Sequence, residues 1–477
     1  MRLLIWGSYS ASPNIGSDSG YNLAFEFVKY LVKYYPDSYA YILLPKMSKI
    51  SLRGDEDELV KKGHLFLVDT GMPPRRYAAS LLGGADAFRV IKVVQKQKIV
   101  FDTAILNFLM GYPLALSVFS KLGYEGIRPI SRIDWFDLFK VDPHTQRFMT
   151  DLVVVMSRYY PVVVHSKWCI QRGLRLPLDS EPAQEILKWG IWYPYFDGEK
   201  IKRRFGRTDN DVPKIIFNHR PKRYTGLPKV VKAVKKLKEM GVKVKIYIST
   251  YHVGANVRGL FNEFGGIHGF WAKYGDVVEP IHMKKDVYYQ RLPTFDAEIA
   301  FHDPDGASWS ISVLEAVASG CYPISHGRYF YEEMFDGQLP KFPDNEQGLV
   351  DAIQFYVDNR EYCDKLAQKL ADHVWSRWSW EVGIHDVMKI VKKSMVEPDL
   401  DVNSKIYKYL KDLDVVDLAS VNIDYLLAKT PEAGFNVGQK SNVLLRLMCL
   451  LRHLGFKDMG GFTPFFVREG ETDGRNK

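Results

Sequence analysis

The sequence has few cysteines and no long apolar segment, and both absences exclude classes of protein. Its 477 residues include four cysteines, Cys169, Cys321, Cys363 and Cys449, which lie far apart and form no CxxC pair. Disulfide-stapled domains and structural zinc sites need closely spaced Cys or Cys/His clusters, so we expect reduced thiols and no metal site. No apolar run reaches the ~18 residues that a transmembrane helix needs, and the first apolar run is too short for a signal peptide. We therefore expect a cytoplasmic, metal-free protein.

Acidic residues are scarce in one segment of the chain. Overall, 65 Lys and Arg stand against 56 Asp and Glu, a formal net charge of +9. Residues 201–245 alone contain 15 Lys and Arg and three acids, a local net charge of +12, so the remainder sums to about −3. Such a segment is typical of contacts with nucleic acid, anionic lipid or a phosphorylated substrate, and a solvated lysine-rich helix has the same composition.

Short apolar strands alternate with amphipathic helices along most of the chain. A strand at 3–6 leads through a glycine-containing loop into a helix at 20–34, and the pattern restarts with a strand at 214–217, a helix at 228–240 and a strand at 242–248. Alternation of this kind is typical of doubly wound parallel sheets. We predict an α/β protein with two Rossmann-like domains that face a cleft, the usual place for a nucleotide-bearing ligand.

Two changes in composition set the predicted domain boundaries. A passage rich in Pro, Gly and charge at 193–213 is the predicted linker, so the domains are expected at 1–195 and 214–377. From 397 to 477 strand signals are few, and we predict a small, mainly helical appendage. Its basic helix and following hairpin are compatible with a winged-helix module or with a plain helical cap.

The most informative stretch is 295–325. It reads as a strand, a polar loop, a helix that begins near Ser310 or Ser312 and stops at Gly320, and another short strand. The amides of Ser310, Ile311 and Ser312 then lie at the helix start, where the helix dipole favours a diphosphate. Glu315 falls in the first turns, where a carboxylate can accept two hydrogen bonds from ribose hydroxyls.

Residues 310–324 resemble the donor-binding signature of retaining GT-B glycosyltransferases of the family 4 type. They read SISVLEAVASGCYPI, and the family pattern is broadly G-x-x-x-x-E-A-x-A-x-G-x-P-V. The resemblance implies that Glu315 holds the ribose of a sugar nucleotide. The family's second glutamate, which contacts the transferred sugar, is Ala307 here, and Asp303 and Asp305 are the candidates for the missing carboxylate.

The resemblance covers about residues 1–396 and assigns roles to their parts. It makes 1–195 the acceptor domain, 214–377 the nucleotide-sugar domain and 378–396 a crossover helix. The family grips the diphosphate with an Arg and a Lys after the first strand of the second domain. Arg220 has the position of that arginine, so we expect it to act in catalysis, and the lysine position is Thr225. We expect Lys222 or Arg223 to supply the second positive charge.

Further candidates rest on shorter signals. The loop that contains Gly16, Ser17 and Ser19 is expected to approach the donor phosphates or the acceptor, and plain turn chemistry explains it equally well. Asp134, at a strand end, is our candidate for a general base or for a group that orients the acceptor, because the resembled family has a His or Asp facing the acceptor near there. The pair Asp303 and Asp305 resembles a DxD metal motif, but GT-B enzymes do not generally need one, so we predict no metal or cofactor.

The acceptor is predicted from the basic segment, the aromatic run at 192–196 beside it and the candidate winged helix. This layout resembles that of phage enzymes that glucosylate hydroxymethylated pyrimidines in DNA, which flip the base and hold the phosphates with basic residues. The sequence thus predicts a hexosyltransferase that moves glucose from UDP-glucose to double-stranded DNA, in the host cytoplasm if the protein is viral.

Two alternatives stay open at this point. One is a glycosyltransferase for a polysaccharide or lipid-linked acceptor, because many family members are basic where they meet anionic lipid. The other is a non-catalytic DNA-binding protein on a degenerate GT-B scaffold, which the departures at Ala307 and Thr225 motivate.

Overall fold

The computed structural model separates into two compact units. The first contains Met1–His165, Cys169–Trp192 and Ile384–Lys477, and the second contains Ser166–Trp168 and Tyr193–Gly383. The structure describes residues 1–6, 19–46, 52, 54–71, 93–106, 130–133, 150, 153–154, 157, 161–206, 208, 210–219, 225–249, 259–283, 285–303, 309–395, 415–417, 456–458 and 465–468.

The first unit contains a six-stranded parallel sheet with the order β3-β2-β1-β4-β5-β6. Its strands are β1 (Arg2–Trp6), β2 (Tyr39–Leu44), β3 (Leu65–Asp69), β4 (Thr103–Leu106), β5 (Ile130–Ile133) and β6 (Val162–Val164). Its described helices are α1 (Ser19–Tyr34), α2 (Gly54–Lys61) and α3 (Glu181–Leu187), with a π-helical turn at Cys169–Gly173. The strand order reverses at β1, as in a doubly wound sheet.

Helix α1 follows from the spacing of its apolar residues. Phe27, Val28 and Leu31 recur at helical spacing, and all three side chains are buried. The strands that α1 accompanies are almost continuously apolar, and β4 and β6 are buried along their whole length. Strands of this kind have both faces covered, as parallel sheets with crossover helices require.

The second unit contains a five-stranded parallel sheet with the order β11-β10-β7-β8-β9. Its strands are β7 (Lys214–Phe217), β8 (Lys245–Ser249), β9 (Val278–Ile281), β10 (Ala297–Ala300) and β11 (Tyr322–Ser325). The helices are α4 (Leu227–Glu239), α5 (Ile267–Tyr274), α6 (Lys285–Arg291), α7 (Ile311–Ala318), α8 (Phe330–Met334), α9 (Glu346–Asp358) and α10 (Arg360–Trp378). Helix α11 (Trp380–Met395) begins in this unit and belongs to the first unit from Ile384 onward. The predicted α/β class with two parallel sheets is confirmed.

Helix α4 and strand β8 test the sequence pattern in detail. Val230, Val234 and Leu237 are fully buried on α4, as their spacing predicts. The strand predicted at 242–248 starts three residues late, at Lys245. The reason is local, because Gly241 closes the helix with φ +70° and the Val242 amide donates to Leu237 O at 3.0 Å, away from the sheet.

Gly226 permits a close approach of two chain segments in the second unit. It precedes α4 with φ +90°, and a Cβ atom there would lie 2.3 Å from Phe301 O. We expect Gly226→Ala to lower the free energy of unfolding by about 2–4 kcal/mol, because the left-handed backbone and the contact with a carbonyl oxygen both oppose a side chain.

Gly241 provides the matched control for that substitution. It has φ +70°, but a Cβ atom there would meet nothing within 4 Å. Gly241→Ala should therefore lower the free energy of unfolding only through the left-handed backbone conformation, by about 1–2 kcal/mol. Urea unfolding followed by tryptophan fluorescence measures both, and equal losses would show that the approach to Phe301 is not a constraint.

The remaining described segments lie near the end of the chain. The strands β12 (Val415–Asp417), β13 (Phe456–Asp458) and β14 (Phe465–Arg468) form an antiparallel sheet with the order β12-β14-β13. The helix predicted at 441–455 lies outside the described residues. Within the described ranges, no helix is both long enough and apolar enough to cross a membrane.

Candidate functional site

Six predicted site residues fall in the part of the chain that the structure describes: Ser19, Asp303, Ser310, Ile311, Ser312 and Glu315. Ser19 is the first residue of α1 in the first unit, Asp303 follows β10 in the second unit, and the other four lie at or in α7 of the second unit. Seven predicted residues lie outside the described ranges: Gly16, Ser17, Asp134, Arg220, Lys222, Arg223 and Asp305.

Helix α7 begins and ends where the sequence predicts. Ser310 is its N-cap residue, in an extended conformation with φ −123° and ψ 109°, and its side chain makes no capping hydrogen bond. The Ser310 hydroxyl instead lies 3.0 Å from the hydroxyl of Ser312. Gly320 follows the helix with φ +100°, where a Cβ atom would lie 2.9 Å from Arg204 O. The first amides of α7 are therefore not capped by the Ser310 side chain.

The Glu315 carboxylate accepts hydrogen bonds from two hydroxyl groups. The Tyr289 hydroxyl donates to Oε1 at 2.9 Å, and the Tyr288 hydroxyl donates to Oε2 at 3.2 Å. Glu315 is only 8% exposed. Each carboxylate oxygen has about two lone pairs, so a carboxylate can accept hydrogen bonds from several hydroxyl groups.

The residues after β7 connect this carboxylate to the start of α7. Asn218 Nδ2 donates to the Tyr288 hydroxyl at 2.8 Å and to Ser312 O at 3.1 Å. His219 Nδ1 lies 2.9 Å from Ser312 Oγ, and Nε2 lies 3.0 Å from Ile299 O. Asn218 and His219 were not among the predicted site residues, although their position directly after a buried strand could have identified them.

Buried histidines follow three of the five strands of this sheet at their carboxyl ends. His219, His302 and His326 come after β7, β10 and β11, and all three are buried. The rings of His219 and His302 lie 4.2 Å apart, and His302 Nδ1 is hydrogen-bonded to the Tyr331 hydroxyl. Burial lowers the pKa of His219 and of His326 to about 4 and that of His302 well below its ordinary value. The three imidazoles are therefore neutral at pH 7.

A carboxyl group is buried beneath these histidines. Glu298, on β10, is 0% exposed, and its Oε1 lies 3.2 Å from His219 Nε2. Burial, and next the charge of Glu315, raise the pKa of Glu298 well above its ordinary value. Glu298 was not predicted from the sequence, because a single acid in an otherwise apolar strand gives no periodic signal.

Aromatic side chains surround the residue before Ser310. The ring of Trp309 lies 5.1 Å from those of Tyr193 and Trp378, and the Tyr193 hydroxyl donates to Glu333 at 2.8 Å. The run at 192–196 was one of the sequence observations that favoured a nucleic-acid acceptor. Trp192, Tyr195 and Phe196 are at most 1% exposed, so these three rings are core residues and do not support that acceptor.

Much of the described basic segment is engaged in contacts within the second unit. Lys229 Nζ lies 2.5 Å from both Asp303 and Asp344. The Arg204 guanidinium donates to the carbonyl oxygens of Pro293, Phe295 and Gly320. Further ion pairs are Lys232–Glu346, Lys236–Glu346, Lys238–Asp276 and Lys245–Glu279. Asp303, a candidate for the missing sugar contact, is thus paired with a lysine.

No group of three or more His, Cys, Asp or Glu side chains within the described ranges is arranged to hold a metal ion. Cys169, Cys321 and Cys363 are buried and unbridged.

Comparison of the sequence finds no matching protein-family model and no matching curated protein. Solved structures do match. Sucrose-phosphate synthase from Thermosynechococcus elongatus has a TM-score of 0.58 and 12% identity, over 82% of this chain and 98% of that one. A glycosyltransferase from Rickettsia africae has a TM-score of 0.56 and 13% identity, over 83% and 98%. A trehalose-6-phosphate synthase has a TM-score of 0.53 and 13% identity, over 82% and 99%. The chain therefore has the α/β fold of GT-B glycosyltransferases.

Proposed function

We propose that this chain is a retaining hexosyltransferase of the GT-B type, related to family 4, that takes its sugar from a nucleotide sugar, with UDP-glucose as the preferred donor. The donor site is assigned to the carboxyl edge of the sheet in the second unit, at α7. The structure of trehalose-6-phosphate synthase concerns glycosyl transfer with retention, and we propose the same stereochemistry here.

The observation that carries this proposal is the pairing of Glu315 with the start of α7. The Glu315 carboxylate accepts two hydroxyl hydrogen bonds in the structure, which is the chemistry that a ribose with two adjacent hydroxyls requires. The start of the same helix has amides that the Ser310 side chain does not cap, and a helix start favours a diphosphate. Both features lie at the carboxyl edge of a parallel sheet, the usual position of nucleotide sites in this architecture.

The chemistry of the transfer follows from the charge that develops on the leaving group. Cleavage of the bond between the sugar and the diphosphate leaves an oxocarbenium-like sugar and negative charge on the terminal phosphate oxygen. The dipole of α7 and its first amides stabilise that charge. Arg220 is proposed to add a guanidinium contact, with Lys222 or Arg223 as a second cation.

For the acceptor we propose a hydroxymethylated pyrimidine in double-stranded DNA. Its remaining support is the net charge of +12 over residues 201–245, which includes Arg220, Lys222 and Arg223. The ion pairs of α4 and the burial of the aromatic run weaken this support, since paired lysines and core rings do not meet a polyanion. A polysaccharide or lipid-linked acceptor is the alternative. For either acceptor, Asp134 is the proposed general base or acceptor-orienting group, and the loop with Gly16, Ser17 and Ser19 is proposed to approach the donor phosphates or the acceptor.

Transfer of label tests the donor and the acceptor together. Purified protein is incubated with UDP-[14C]glucose and duplex DNA containing either hydroxymethylcytosine or cytosine. We expect label only in the hydroxymethylated duplex. Label that enters a lipid or polysaccharide extract instead would replace the DNA acceptor. A protein that shifts DNA in a gel but neither binds nor hydrolyses a panel of UDP-, GDP- and ADP-sugars would be a binding protein on a GT-B scaffold.

A further inference from the structure

Glu298 is a buried acid that the proposed transfer does not use. It lies on β10, which pairs with β7 on one side and with β11 on the other, so it is inside the sheet. Neither of its carboxyl oxygens has a hydrogen-bond partner among the described residues. Buried polar groups in proteins are nearly always hydrogen-bonded, because an unmade bond costs free energy. We therefore expect the Glu298 carboxyl group to form a hydrogen bond with a neighbouring side chain.

The groups around Glu298 hold its carboxyl group in the neutral form. The groups that face it or interact electrostatically with it are His219, Tyr288, Glu315, Cys321 and Tyr331. None of these is a cation at pH 7, because burial keeps His219 neutral and the others are acids or neutral groups. A neutral carboxyl group has an O–H donor, and His219 Nε2 at 3.2 Å is the acceptor nearest to it in the described contacts.

His219 has two tautomers that differ in what they do to Ser312. In the first, Nε2–H donates to Ile299 O at 3.0 Å, and Nδ1 accepts the proton of the Ser312 hydroxyl at 2.9 Å. In the second, Nδ1–H donates to Ser312 Oγ, and Nε2 gives up its hydrogen bond to Ile299 O and can accept from Glu298 instead. Only the second tautomer frees the Ser312 proton for a ligand at the start of α7.

We propose that Glu298 and His219 are positioning residues of the donor site: the Glu298 carboxyl group donates to His219 Nε2, and His219 Nδ1–H then turns the Ser312 hydroxyl proton toward the diphosphate. This inference rests on the proposed function. The proton stays on Glu298 and none is transferred. Because Ser310 Oγ lies 3.0 Å from Ser312 Oγ, the same tautomer also orients the N-cap hydroxyl.

Two substitutions separate the hydrogen bond from the volume of the side chain. Glu298→Gln keeps an N–H donor toward His219 Nε2 and cannot ionise, whereas Glu298→Met has a similar volume and no donor. Binding of UDP is measured by isothermal titration calorimetry from pH 6 to pH 10, with thermal unfolding as the check of folding. We expect the glutamine variant to bind UDP within about threefold of the unmodified protein at pH 7, and the methionine variant about tenfold more weakly.

The pH profile gives a readout that a purely structural role would not change. Above its raised pKa, Glu298 becomes a carboxylate, which accepts from Nε2–H and imposes the first tautomer. The affinity of the unmodified protein for UDP should therefore fall at alkaline pH relative to that of the glutamine variant, in which nothing ionises at this position. Ionisation of UDP itself cancels in that ratio.

The tautomer can also be read directly. Proteins labelled with [15N]histidine, with His219→Asn to assign the signal, should show Nδ1–H in the unmodified protein and Nε2–H in Glu298→Met. The proposed roles of Glu298 and His219 are wrong if Glu298→Met and Glu298→Gln bind UDP equally. They are also wrong if the ratio of UDP affinities of the unmodified protein and Glu298→Gln stays constant to pH 10, or if Glu298→Met has the same His219 tautomer as the unmodified protein. If the unmodified protein binds no nucleotide, the proposed donor site is wrong. The tautomer of His219 still tests the hydrogen bond from Glu298 to His219 in that case.

Discussion

Glu315→Ala is expected to weaken binding of the nucleotide sugar by about a hundredfold or more and to reduce transfer by at least that factor. The proposed hydrogen bonds from the two ribose hydroxyls to the carboxylate are lost, and each is worth about 1.5–3 kcal/mol of binding free energy. Every 1.4 kcal/mol corresponds to about a tenfold change in affinity. The substitution also leaves the Tyr288 and Tyr289 hydroxyls without their acceptor. Calorimetric titration with UDP and kcat/KM for transfer measure the two effects.

Tyr289→Phe is the matched control for the change at Glu315. It removes one hydroxyl that contacts Oε1 and keeps the Glu315 carboxylate itself. We expect it to change UDP affinity by less than about fivefold. An unchanged kcat/KM in folded Glu315→Ala would show that the donor binds elsewhere.

Lowering the pH from 7 to 5 is expected to destabilise the second unit by about 2 kcal/mol for each of two buried histidines. Burial lowers the pKa of His219 and of His326 to about 4 in the folded protein, whereas an unfolded histidine has a pKa of about 6.5. Below pH 6.5 the unfolded chain takes up protons that the folded unit does not. The contribution of each neutral, buried histidine to the free energy of unfolding is therefore fully present above pH 6.5. It is lost toward pH 4 at about 1.4 kcal/mol per pH unit.

Histidine variants isolate this effect from the titration of carboxylates. His326→Gln removes one buried imidazole, so the difference in unfolding free energy between this variant and the unmodified protein should change by about 2 kcal/mol from pH 7 to pH 5. His268→Gln, at an exposed position outside this cluster, is the control substitution. Urea midpoints at pH 7, 6 and 5 give the comparison. A parallel pH dependence for all three proteins would contradict neutral, buried histidines.

Local signals explain why part of this protein could be predicted from its sequence. Helix α7 was predicted because Ser310 before an apolar run and Gly320 after it are start and stop signals that act within a few residues. The buried face of α4 follows likewise from the spacing of Val230, Val234 and Leu237. Glu315 could be identified as a candidate because it lies in the same short segment as the start of α7.

The sequence by itself thus determined the alternation of strands and helices, the class of the fold and the segment at 310–324, because periodic burial and helix termini are properties of neighbouring residues. Only the tertiary structure decided what lies beside that segment. Asn218 and His219 reach Ser312 across more than 90 residues of sequence, and Glu298 joins them because β10 pairs with β7. The same holds for charge: α4 is basic in sequence, but in the structure its Lys229 pairs with Asp344 and its Lys232 pairs with Glu346. A composition gives the number of charges, and folding determines which of them remain unpaired.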